Sequence, residues 1–276
     1  MAQILNQDQL YDIALQTISA ASQLPLVRVD REEFLKKQFK DSPYLDQILV
    51  EGPQVVYTVE SLQKKADKII SEMTTQTSLA SFIAGLPANP FAAVPLAGAD
   101  VTQFFGFALN LAQQLAYLYG QDDLFEEGQN NLSEEAKLRL VVYLGAMFGV
   151  AGVNVLIPKV AKNVGQQMVK NVARQAITRT TWYPLIKKVG SVIGVRVTRT
   201  TVQNGIMKAI PIVGGILSGG LTYTSFKPMG KNLSQTFVEH LAGAVKDDLE
   251  LNPEFVAQLS KQLDRDIEDA EFSEKS

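Results

Sequence analysis

VTQFFGFALNLAQQLAYLYG, residues 101–120, holds neither a charged side chain nor a proline and closes on a glycine. The pattern predicts a helix of about five turns that ends at Gly120. Gln103, Gly106, Asn110, Gln113, Gln114 and Tyr117 share one narrow uncharged stripe of that helix, and Phe104, Phe105, Ala108, Leu111, Leu115 and Leu118 fill the rest. A helix with so wide an apolar arc lies at the centre of a bundle or against lipid. It sits in a longer apolar context: from Met73 to Gln121 the one charged residue is Asp100. Asp100 follows the proline-broken elbow GLPANPFAAVPLAGA (85–99) and precedes Gln103 by three positions, the Asp-x-x-Gln spacing of a capping box.

Outward from this helix the chain reads as all-α. Residues 7–23 place Leu10, Ile13, Ala14, Ile18 and Ala21 on one face, and DREEFLKKQF from Asp30 sets acids before bases, as the helix dipole favours. VESLQKKADKIISEM (59–73) spaces Val59, Leu62, Ala66, Ile69, Ile70 and Met73 as a helix. Beyond the acidic connection 121–135, VVYLGAMFGVAGVNVLIP (141–158) carries Gly145 and Gly149, a pair at the spacing that lets two helix backbones cross closely. KVAKNVGQQMVKNVARQAITR (159–179) is amphipathic, with Val160, Val164, Met168 and Val172 opposite Lys159, Lys170 and Arg174. IKKVGSVIGVRVTRTTVQNGIMK (186–208) recurs as a helix, although its β-branched cluster VRVTRTTV also suits a strand. Residues 209–226 run uncharged between Lys208 and Lys227, but Pro211 and four glycines make a poor lipid-facing span. Gly214, Gly215, Gly219 and Gly220 are expected to form a helix-packing surface. Two further helices follow, in 232–250 and 253–270.

The expected architecture is one helical domain over 1–276: a multi-helix bundle with Pro- and Gly-broken apolar helices at its centre and amphipathic helices outside. Within it, 1–75 reads as an N-terminal helical extension, 78–245 as the core and 246–276 as an acidic helix and tail. Net charge is −3, but from Ala136 to Val238 there are fourteen Lys and Arg and no Asp or Glu. Two arrangements accommodate this. Either the acidic ends fold back over the basic segment, or that segment faces an anionic partner.

Composition excludes several chemistries. There is no cysteine and a single histidine, His240, so disulfides, thiolate catalysis and His- or Cys-rich metal sites are ruled out. No phosphate-binding loop, dinucleotide fingerprint, HExxH or GxSxG is present, and no cofactor or metal is expected. The N-terminal MAQILNQDQLYDIALQ lacks the basic start and apolar core of a secretory signal, which points to the cytoplasm.

Gly85-Leu86-Pro87, then Pro95 and Asp100, then a helix ending Leu115-Ala116-Tyr117-Leu118-Tyr119-Gly120 resembles the N-terminal half of the EcsC family of bacterial proteins. Ala209-Ile210-Pro211-Ile212-Val213-Gly214-Gly215 followed by Gly219 is similar to that family's closing segment. The likeness spans about residues 78 to 245. The family is named after a gene that accompanies an ABC transporter operon and has no established catalytic residues. The resemblance therefore places an ABC transporter among the candidate partners and carries over no catalytic residue to this chain.

Three functional readings follow. The first is a non-enzymatic, cytoplasmic membrane-associated binding or regulatory protein at the inner face of the cell membrane, contacting anionic lipid through Lys159, Lys162, Lys170, Arg174, Lys187 and Lys188. The second is a pore-forming protein that inserts an apolar hairpin, residues 78–157. The third is an enzyme with a polar pocket at Asp100, Gln103, Asn110 and Tyr117. Nucleic acid is not an expected partner, because the bases are spread over helices without interleaved exposed aromatics.

Overall fold

The computed structural model describes residues 6–24, 27–75, 99–125, 132–160, 183–205, 219–243, 257, 260–265 and 267. Among these the secondary structure is helical and no strand occurs, so the protein is an all-α multi-helix bundle. The helices are α1 (Gln7–Ser22), α2 (Arg31–Gln38), α3 (Leu45–Glu51), α4 (Val59–Met73), α5 (Ala99–Leu118), α6 (Glu134–Met147), α7 (Ile157–Val160), α8 (Tyr183–Gly205) and α9 (Gly219–Leu241). Short 3-10 turns at Pro53–Val55 and Val153–Leu156 join α3 to α4 and lead into α7.

Local chemistry starts the helices. Asn6 and Gln9 form a reciprocal capping box on α1, and the side chains of Asp30, Thr58 and Ser133 accept the N3 amides of α2, α4 and α6. Asp100 lies on the helical backbone at the described start of α5. At its other end α5 stops as predicted. Gly120 takes φ +85°, and the amides of Gly120 and Gln121 bond back to the Tyr117 and Ala116 carbonyls, a Schellman closure.

Helix α5 is the centre. Leu109, Leu111, Ala112, Leu115, Ala116, Tyr117 and Leu118 are fully buried, as are Leu140 to Leu144 of α6. Phe104 and Phe107 meet the Phe226 ring of α9 edge-on at 6.0 and 6.2 Å, and Tyr119 stacks on Phe237 at 5.4 Å. Burial of this apolar surface contributes about 25 cal/mol per Å². The N-terminal helices belong to the same core: Ile18, Leu35, Ile48 and Ile70 join one cluster with α5, α6, α8 and α9. The described residues of the N-terminal helices thus contribute side chains to the core of the bundle.

Glycines mark the closest helix crossings, but at positions other than those expected. Gly149 lies beyond the end of α6 with φ +69°, where the amides of Gly149 and Val150 close a second Schellman motif on Ala146 and Gly145. The Gly145/Gly149 pair is therefore one packing glycine and one turn glycine. A Cβ at Gly145 would stand 2.4 Å from Val189 Cγ1 of α8. The glycine that brings two backbones together is Gly194 of α8, with Gly190 one turn earlier against the Tyr11 ring, where α1 makes the most extensive helix contact of the described fold. Gly230 of α9 packs likewise against Ile70 and Leu111. Gly219 and Gly220 lie on the helical backbone at the start of α9, and Gly214 and Gly215 lie outside the described residues.

The β-branched VRVTRTTV cluster is helix, inside α8. Val195 and Val197 are buried there, so packing overrides their strand propensity. The segment 161–182, with most of the predicted amphipathic helix, lies outside the described residues.

Candidate functional site

The described side chains of the α5 polar stripe are held by partners within the fold. The Tyr117 phenol donates to Asp123 Oδ1 at 2.9 Å and accepts the Leu124 amide at 3.3 Å, which folds the turn after α5 back onto the helix. Asn110 faces along the helix, taking the Gln114 amide on Oδ1 at 2.6 Å. Gln113 is fully buried and accepts from the Val29 amide at 3.0 Å while donating to the Val27 and Leu109 carbonyls at 2.8 and 2.9 Å. These partners clamp the α1–α2 connection to α5. The side chains of Asp100 and Gln103 lie outside the described residues.

The buried phenols around this turn hold their protons strongly. Burial pushes Tyr117 well above the ordinary tyrosine value of 10, and the Asp123 carboxylate adds to the rise. Burial also raises Tyr119 to about 12, against its hydrogen bond with Ser234, and raises Tyr143 to about 12, against the attraction of Arg139. A folded-state value raised above the unfolded one stabilises the native state fully below pH 10, and that stability is lost as pH climbs through about 12. In a titration monitored by phenolate absorbance and far-UV circular dichroism, part of the eight tyrosines should ionise only as helix is lost between pH 10 and about 12. Ionisation of all of them near pH 10 with helix intact would contradict the buried network.

Of the basic candidates, two are held by the chain's own acids. Lys187 Nζ stands 2.6 Å from Asp8 Oδ1 of α1 and over the Tyr11 ring. Lys188, largely buried, donates to Asp264 Oδ2 at 2.7 Å and to Ser260 from the C-terminal stretch. Both chain ends therefore do fold back onto the basic segment at these two lysines. Nearer its start, Arg139 pairs with Glu135 and Lys137 with Glu134. Lys159 lies on α7, half-buried, while Lys162, Lys170 and Arg174 lie outside the described residues.

A cleft of about 400 Å³ opens where the end of α2 meets the first half of α4. No sequence signal marks it, because its walls come from residues 38–43, 57 and 61–65, which look like ordinary surface positions. Phe39 and Tyr57 stack at 5.2 Å to form one wall. Lys65 lies over the Phe39 ring at 4.7 Å and donates to the Gln38 carbonyl at 2.6 Å. Partial burial, with Lys68 nearby, lowers the Lys65 pKa from its ordinary value. The lysine makes no ion pair among the described residues. Ser42, Ser61 and Asp41 complete the polar lining. Among the described residues no group of three His, Asp or Glu is arranged to hold a metal.

The described residues form an all-α bundle with a cationic, hydroxyl-lined surface cleft and an interior in which Gln113 bridges two parts of the chain. No family model matches the chain, and neither the curated proteins nor the solved structures contain a match.

Proposed function

We propose that this chain is a non-enzymatic, membrane-associated binding or regulatory protein that contacts anionic lipid through the basic segment at Lys159, Lys162, Lys170 and Arg174. The observation that carries the reading is the charge segregation, fourteen bases and no acid from Ala136 to Val238. Lys187 and Lys188 leave the contact set, since Asp8 and Asp264 neutralise them. Each remaining base near an anionic leaflet contributes about 1 kcal/mol. Among the described residues no helix is long and apolar enough to cross a membrane, which favours surface contact over spanning by those helices. The motif likeness to the EcsC family points the same way, and makes a membrane protein such as an ABC transporter a candidate partner on the cytoplasmic side.

Co-sedimentation with phosphatidylcholine vesicles, with and without phosphatidylglycerol, tests this reading at low and high salt. Binding should require phosphatidylglycerol and fall as salt shortens the Debye length. The quadruple variant K159Q/K162Q/K170Q/R174Q should bind at least about tenfold more weakly. Equal binding by the variant would remove the electrostatic contact. Binding that survives salt and releases an entrapped dye would favour insertion of the 78–157 hairpin instead.

A further inference from the structure

The cleft between α2 and α4 offers more hydrogen-bond donors than the protein uses. Ser42 Oγ accepts twice, from the Tyr57 phenol at 2.8 Å and from the Tyr44 amide at 3.3 Å, so its own hydrogen has no acceptor among the described residues. Ser61 Oγ accepts from Thr58 Oγ1 at 3.2 Å and is in the same condition. Lys65 places one of its three N–H donors on the Gln38 carbonyl and its charge over Phe39, with no carboxylate to pair it among the described residues. Three donors thus line one cleft, from two separate elements, and none is saturated. Ser61 also lies in the first turn of α4, whose fifteen residues direct the positive end of the helix dipole to this side.

We propose that this cleft is a binding site for a phosphate ester, its oxygens taking the Lys65 ammonium and the Ser42 and Ser61 hydroxyls, with the organic part against Tyr57 and Pro43. A phosphate ester presents more acceptor oxygens to these three donors than the two of a carboxylate. Lysine serves phosphate as a point charge and needs no bidentate geometry. The volume of about 400 Å³ lies in the range of small-molecule sites. Asp41, the one carboxylate of the lining, disfavours an anion close to it. The site is independent of the basic segment 159–174, so either proposal can fail alone.

The phosphate can belong to a free ester or to a lipid headgroup. Isothermal titration of the full chain with glycerol 3-phosphate, dihexanoyl phosphatidic acid and glycerol separates these sources. Saturable binding of glycerol 3-phosphate is expected if the ligand is a free ester, and of the short-chain lipid alone if the acyl part is required. K65M, which keeps an unbranched side chain of similar length but removes the charge, should bind at least about tenfold more weakly, whereas K65R should retain binding. The double variant S42A/S61A should also lose affinity, and D41N should bind at least as tightly as the unaltered protein. Absence of binding by both phosphate probes would overturn the proposal. So would glycerol binding as well as glycerol 3-phosphate, undiminished binding by a folded K65M, or loss of binding in D41N.

Discussion

Gly194→Ala should lower the unfolding free energy by about 3 kcal/mol, read as a reduced urea midpoint at unchanged slope. A Cβ at Gly194 would stand 1.9 Å from the Leu10 carbonyl oxygen and 2.5 Å from its carbon. Both atoms belong to the backbone of α1, so no side chain can rotate away and the two helices must part. That separation loosens the largest helix contact of the described fold. Intrinsic propensity works in the opposite direction, since Ala is favoured over Gly in a helix by about 1 kcal/mol. The sign of the result therefore decides the matter, because a stabilised Gly194→Ala would mean that α1 and α8 do not cross this closely. Gly190→Ala and Gly145→Ala should cost less. Their added methyls meet the Tyr11 ring and a Val189 methyl, which are side-chain atoms with some freedom to shift.

Gln113→Leu should destabilise by a further comparable amount, about 2–4 kcal/mol. Leucine fits the volume, but it leaves the half-buried Val29 amide and the buried Val27 carbonyl without the Gln113 partner. Each buried, unsatisfied polar group costs about 1–3 kcal/mol, and the apolar gain of one leucine offsets only part of that. Gln114→Leu is the matched control. Its amide contacts Asn110 Oδ1 and, at 3.6 Å, the Met73 sulfur from a half-buried position, so a change within about 1 kcal/mol is expected. Chemical denaturation of both variants under one condition reads the contrast. Equal effects at 113 and 114 would show that the clamp on the α1–α2 connection carries no special weight.

The two glutamines show how far the chain could be read from its letters. Both fall on the same uncharged stripe of 101–120, and adjacent positions of one type cannot be ranked by periodicity. The difference arises because the connection after α1 returns to α5 eighty-four residues away in sequence, between Val29 and Gln113. The glycine pairs teach the same lesson. Gly145/Gly149 and Gly190/Gly194 have identical spacing, yet the first ends in a left-handed turn and the second lies under α1. Spacing reports that two small residues share a face only if the helix continues through both.

The Lys65 cleft had no signal, since Lys65 occupies a polar position of an ordinary amphipathic helix. Its significance comes from Gln38 and Phe39, twenty-seven and twenty-six residues earlier, which end α2 beside it. The charge count was legible and its resolution was not. Two arrangements fit fourteen bases without an acid, and the structure realises the fold-back at Lys187 and Lys188 through Asp8 and Asp264.

What the residues determined alone was the helical character, the span 59–73 of α4, the start of α2 near Asp30, the stop at Gly120 and the central place of the 101–120 helix. These depend on interactions within one or two turns, between residues three or four apart, which periodicity and capping chemistry record directly. Tertiary structure decided which glycines touch, which glutamine is a clamp, which lysines are neutralised and where a cleft opens. Each of those depends on pairs of residues brought together only when the chain reverses and packs, a geometry that local sequence does not encode.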